Sequence, residues 1–177
     1  AAAGGRGTRG RKHPCSWHTF ALLEGRREMS HKTAEERLRR LDIELPTPAP
    51  PGGNYQQWTI AGNLVYIAGQ TPVNSEGTTV FTGKCGAEHN AASAYKAAAL
   101  CGINILANLK AACGGDLEKV EKVVKLNGYC ACTPDFTDHP KVINGASDLM
   151  FEVFGEKGKH ARTAIGVQSL PFGAVVE

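Results

Sequence analysis

His160-Ala161-Arg162-Thr163-Ala164-Ile165-Gly166-Val167-Gln168-Ser169-Leu170-Pro171-Phe172-Gly173-Ala174-Val175-Val176-Glu177 closes a chain of 177 residues. Ala161 to Val167 and Gly173 to Glu177 are β-like, with a Leu-Pro-Phe break between them. These two strands hold one arginine and one glutamate among Ala, Ile and Val. A guanidinium in such a strand is costly unless it is paired or awaits an anion. Its fork of donors matches a carboxylate. An edge-strand arginine, or a structural Arg-to-Glu pair, accounts for the same residues without chemistry.

Upstream, Val142 to Phe154 carries Ile143, Ala146, Leu149, Met150 and Phe154 at helical spacing before Gly155, and Pro134 to Pro140 reads as a loop. Before that, Leu126, Gly128, Cys130 and Cys132 alternate with a more polar set, the period of a half-buried strand. From His89 to Cys113, apolar residues recur at three and four and stop at Gly114-Gly115, which predicts a long helix. Tyr55 to Ile60 and Leu64 to Ala68 flank Ala61-Gly62-Asn63 and read as a hairpin, with a short third strand near Thr79 to Thr82. Thr33 and Glu36 form a capping box ahead of Leu38 and Leu41, and the proline-rich run Pro46 to Gly53 ends that helix. The order after the connector is β-β-β-α-β-α-β-β: an α+β domain with two helices on one face of a mixed sheet. The other face must be solvated or covered, and self-association covers it most economically.

Composition bounds the class. With 42% hydrophobic and 21% charged residues, the chain is that of a water-soluble globular domain. The longest apolar stretch, Ala91 to Leu109, is interrupted by Lys96, Asn104 and Asn108, so it reads as a buried helix and no membrane partner is expected. Residues 1–28 hold six Lys/Arg against two Glu, while 29–177 hold fourteen against fifteen. The basic character thus belongs to a leader too poor in apolar residues to order itself. It reads as an organelle presequence, an RNA-touching Gly-Arg arm, or sequence upstream of a start at Met29. Scattered cysteines and the lack of an Asn-x-Ser/Thr acceptor favour a reducing, cytoplasmic setting, or a mitochondrial or plastid one if the leader is a presequence.

Four features in order carry a resemblance: Tyr55 seven residues before Gly62-Asn63, the turn Gly69-Gln70-Thr71-Pro72, Asn144 opening a helix, and Arg162 followed by Leu170-Pro171 and Glu177. Together they resemble the Rid family of reactive intermediate deaminases, also called YjgF-like or L-PSP endoribonuclease-like proteins. The resemblance spans about 120 residues, Asn54 to Glu177, as one family domain. The preceding 29–53 then form an added helix and connector. It implies a chorismate-mutase-like fold, a homotrimer and ligand sites in the clefts between subunits. It also implies catalytic roles for Arg162 and Glu177. Arg162 holds the carboxylate of a 2-imino or 2-enamino acid, and Glu177 positions or activates the attacking water, yielding a 2-keto acid and ammonia. Tyr55, Gly69 and Asn144 line the substrate pocket by the same resemblance.

No cofactor is expected, because an imine is already electrophilic and needs positioning and proton transfer. No metal is expected either, since Cys130 and Cys132 lack a second ligand pair at zinc spacing. Many deaminase members carry Cys and Ser where this chain has Ala164 and Ala68, which places it with a longer branch of the family. Two other functions stay open: a regulator that binds keto acids without turnover, and an endoribonuclease or translation inhibitor. The near-neutral body disfavours RNA as a partner.

Overall fold

The computed structural model describes residues 32–177, so the expectations for residues 1–28 lie outside the described residues. Helix α1 spans Ala34–Arg40, and its Thr33–Glu36 capping box forms in both directions. The hairpin pairs β1, Trp58–Ala61, with β2, Leu64–Ile67. Its turn is the two-residue Gly62-Asn63, and only Gly62 takes a positive φ, as a type II′ turn demands of its first residue. Helix α2 is Ala91–Ala112, capped by the Asn90 side chain. Strand β3, Lys125–Ala131, pairs in parallel with β4, Ala161–Val167. Helix α3, His139–Phe154, is the crossover between them. Among the described residues no helix is long and apolar enough to cross a membrane.

The α+β class holds, and three local expectations are corrected. The third strand near Thr79 to Thr82 pairs only through isolated bridges, Val73 to Thr79 and Thr82 to Ala174. Val80 N–H reaches Pro72, whereas Phe81 accepts from Val175, so the segment passes from one neighbour to another within a few residues. The last strand likewise pairs only through isolated bridges, Thr82 to Ala174 on one side and Cys130 to Val176 on the other. A 3-10 turn occupies Pro171–Gly173, after which Tyr129 and Glu177 exchange both backbone bonds at 2.8 and 2.9 Å. Helix α3 starts at His139 rather than Val142, because a proline in the first turn removes only an N–H that has no helical partner.

Two clusters form the core. One lies between α2, α3 and the sheet, around Ala94, Ala98, Cys130, Ile143, Val175 and Val176. The other joins α1 to the far ends of α2 and α3 through Ala34, Leu38, Leu106, Leu117 and Met150. The α2–α3 contact is close because Gly145 has no β-carbon: one there would overlap the Tyr95 carbonyl oxygen. Several apolar side chains stay outside both clusters. Ile60 and Tyr66 of the hairpin and Ile165 of β4 are 56%, 55% and 46% exposed.

Candidate functional site

Arg162 is the second residue of β4 and points toward α3. Its Nη1 donates to Asn144 Oδ1 at 2.8 Å and to Ser147 Oγ at 3.0 Å, and Nη2 donates to the Pro140 carbonyl at 3.3 Å. All three acceptors are neutral, and among the described residues no carboxylate forms an ion pair with it. Three of the five guanidinium N–H groups are thus engaged, which leaves donors on Nε and Nη2. Two donors on adjacent nitrogens suit the two oxygens of a carboxylate.

Asn144 does not open the helix as expected. It is the sixth residue of α3, whose N-cap is Asp138, so its amide is free for Arg162 rather than for capping. Ser147 was not foreseen. It lies three residues after Asn144, the spacing that puts two side chains on one helix face, and that spacing was the available signal.

Glu177 lies on the other side of β3. Arg162 is level with Leu126 of β3 and Glu177 with Tyr129, on opposite strand edges. Two strand spacings and three residues of rise separate their Cα atoms by roughly 14 Å. Within one chain the two side chains are therefore not a pair. Glu177 instead packs on Gly69, where a β-carbon would overlap its Oε1. Two asparagines of α2 hold that turn in place. Asn104 Nδ2 donates to the Thr71 and Val73 carbonyls at 3.1 and 3.0 Å, and Asn108 Nδ2 donates to Gln70 Oε1 at 3.2 Å. The polar interruptions of the apolar helix are thus what place Gly69 against Glu177.

Burial holds the Glu177 carboxyl above its ordinary pKa. The Cys101 thiol of α2 is also pushed up, first by its own burial and then by the Glu177 charge. A carboxyl raised in this way can take and return a proton nearer neutral pH. The shift also has a sign for stability. The folded state holds the proton longer than the unfolded chain, so stability falls as pH rises from about 4.3, the usual glutamate value, through the raised folded pKa. Glu177→Gln removes that slope. Denaturant titrations from pH 4 to 8 should show the variant gaining on the parent as pH rises, and a constant difference would refute the assignment.

Tyr55 and the other polar or ligand-type side chains near the site are placed as follows. Tyr55 is 51% exposed, and its hydroxyl accepts from Gly52 N–H at 3.2 Å. His89 is engaged by Ser93 Oγ at 2.8 Å and the Thr82 carbonyl at 2.9 Å. Cys130 is buried, while Cys132, just past β3, lies 3.5 Å from His139 Nε2. Among the described residues no group of three or more His, Cys, Asp or Glu is placed to hold a metal.

Comparison with known proteins identifies the family and the fold. The family described as "YjgF/chorismate_mutase-like, putative endoribonuclease" matches residues 35–176. Protein TCP17 of Trypanosoma cruzi is 44% identical over 141 residues, covering 79% of this chain and 87% of that protein. A 2-iminobutanoate/2-iminopropanoate deaminase of Dermatophagoides farinae is 30% identical over 135 residues, covering 76% and 89%. Among solved structures, a protein of unknown function from Agrobacterium tumefaciens is 49% identical with a TM-score of 0.75, covering 81% of this chain and 88% of its own. A "putative endoribonuclease" from Shewanella oneidensis is 34% identical with a TM-score of 0.79, covering 82% and 95%. The chain belongs to the YjgF/chorismate-mutase-like family, the Rid family that its residues resemble.

Proposed function

We propose that the protein hydrolyses reactive 2-imino or 2-enamino acids to 2-keto acids and ammonia, in a cleft shared by two copies of a homotrimer. The observation that carries this reading is Arg162, a strand guanidinium with three neutral partners and two donors to spare. The relative from Dermatophagoides farinae, named a deaminase of 2-iminobutanoate and 2-iminopropanoate, supports the substrate class.

Arg162 holds the substrate carboxylate and thereby fixes the C=N carbon. Water adds to that carbon while Glu177 accepts its proton. That proton passes to the imine nitrogen, giving a carbinolamine. The hydroxyl proton then moves to the amine as C=O forms and the C–N bond breaks, releasing ammonia and the 2-keto acid. An enamine enters this route after it tautomerises to the imine. Asn144 keeps the guanidinium in place, and the bare Gly69 backbone lets substrate approach Glu177. Tyr55 forms part of the wall. Within one chain β3 separates the Arg162 half from the Glu177 half, so a complete site needs the Arg162 half of one copy facing the Glu177 half of the next. The exposed Ile60, Tyr66 and Ile165 favour such an assembly, because apolar surface of this kind gains by being covered.

The test is keto acid release from freshly generated 2-aminoacrylate by wild type, Arg162→Ala, Glu177→Gln, and the two variants unfolded and refolded together. Both variants are expected to be inactive alone and the mixture partly active, since hybrid trimers contain clefts with both residues intact. A mixture as inactive as its components would overturn a site shared between copies. Ala68 and Ala164 favour a second reading, binding of keto acids without turnover, because two polar groups found in many deaminases are missing. Saturable pyruvate binding in calorimetry with no release from 2-aminoacrylate would select it. Cleavage of single-stranded RNA that is lost in Arg162→Ala would replace both readings.

A further inference from the structure

Ser147 Oγ, which accepts from Arg162 Nη1, also lies 3.1 Å from His160 Nε2. The other ring nitrogen of His160, Nδ1, lies 2.7 Å from the Gly158 carbonyl. A carbonyl only accepts, so Nδ1 carries the hydrogen. In the neutral ring Nε2 is then an acceptor, and the hydrogen facing it is that of the Ser147 hydroxyl. The hydroxyl therefore turns its hydrogen to His160 and its lone pairs to Arg162. Left to rotate, it could as readily turn its hydrogen toward Nη1, donor against donor.

The far end of this chain of bonds is anchored. Gly158 lies so close to α3 that a β-carbon there would overlap the Met150 carbonyl oxygen and stand 2.6 Å from the Met150 carbonyl carbon. The order is thus buried backbone, His160, Ser147, Arg162, each link specifying the direction of the next. His160 sits two residues before Arg162, at the entry to β4, so one stretch of backbone supplies both ends of the relay.

We infer that Ser147 and His160 are positioning residues that hold the Arg162 guanidinium in its carboxylate-receiving orientation. This rests on the carboxylate-binding reading of Arg162. The relay sets ground-state binding rather than the proton transfer assigned to Glu177. Its loss therefore raises KM and leaves kcat nearly unchanged.

The test uses the full chain and the variants Ser147→Ala, Ser147→Thr, His160→Phe and His160→Gln. Without ligand, nitrogen NMR of Arg162 should show slow rotation about Cζ–Nη1 in the wild type, in Ser147→Thr, which keeps the hydroxyl, and in His160→Gln, whose amide oxygen accepts. Rotation should be fast in Ser147→Ala and His160→Phe. Those two variants should bind pyruvate about tenfold more weakly, as loss of one hydrogen bond to a charged group implies. The double variant Ser147→Ala/His160→Phe should be no worse than Ser147→Ala, because both act through one bond. Wild-type rotation and affinity in Ser147→Ala would overturn the relay. So would Ser147→Thr and His160→Gln as impaired as Ser147→Ala and His160→Phe, which would mark a merely structural role. If the wild type does not bind pyruvate, the carboxylate reading falls, and the ligand-free NMR still decides the relay.

Discussion

Arg162→Ala is expected to abolish carboxylate binding while leaving the fold almost as stable as before. Truncating a charged partner that is fully hydrogen-bonded typically costs about 2 to 5 kcal/mol, roughly 30- to 5000-fold in affinity or in kcat/KM. The effect on folding should be small because Arg162 is only half-buried and Asn144 is exposed, so water can replace the guanidinium on the vacated acceptors. Arg162→Lys separates charge from shape. It keeps the cation but loses the planar fork, and it should fall between the two. Calorimetry with pyruvate and thermal unfolding of the same samples read both quantities. Undiminished binding in Arg162→Ala would remove Arg162 from the site, and a large fall in melting temperature would make it a structural residue.

Gly145→Ala is expected to destabilise the protein by at least about 2 kcal/mol, the reverse of the usual sign. Within a helix, alanine ordinarily improves on glycine by about 1 kcal/mol. Here the added carbon would overlap the Tyr95 carbonyl oxygen and lie 2.9 and 3.0 Å from the Tyr95 carbonyl carbon and the Ala99 nitrogen. Backbone cannot swing aside, so α2 and α3 must part along their contact and disturb the core between them. For a domain of this size, the melting temperature should drop by roughly 4 °C or more. Gly102→Ala is the control. Its new carbon would meet mainly Leu149 Cδ2 at 2.9 Å, a side-chain tip that can turn away. The second variant should be close to neutral. Equal losses in the two would show that backbone contact is not what distinguishes Gly145.

Much of the fold was legible from neighbours along the chain. β4 was read with the bounds it has, Ala161–Val167, and α2 was read to within two residues at either end. The Thr33–Glu36 box and the Gly62-Asn63 turn were likewise plain, because each is closed within four residues. Less was legible where partners come from afar. Thr79 to Thr82 has the composition of a strand, yet its bonds go to Pro72 on one side and to the 173–175 segment on the other. The start of α3 was misjudged because Pro140 reads as a loop residue unless it falls in a helix's first turn.

The candidate site divides in the same way. Arg162 and Glu177 stand out in the sequence as charges in apolar strands, and the ordered set from Tyr55 to Glu177 carries the resemblance to the family. Asn104 and Asn108 were visible only as breaks in an apolar run, although they anchor the turn at Gly69.

The local order of helices, strands and turns, and the identity of the two charged residues, are written into the chain, since periodicity, caps and turn residues act between near neighbours. Long-range packing is what sets β3 between Arg162 and Glu177, brings Asn144 and Ser147 to the guanidinium, and turns Gly69 to the carboxylate. Those placements depend on hydrogen bonds and packing between segments many residues apart, and no local pattern encodes which edge of β3 a given strand will join.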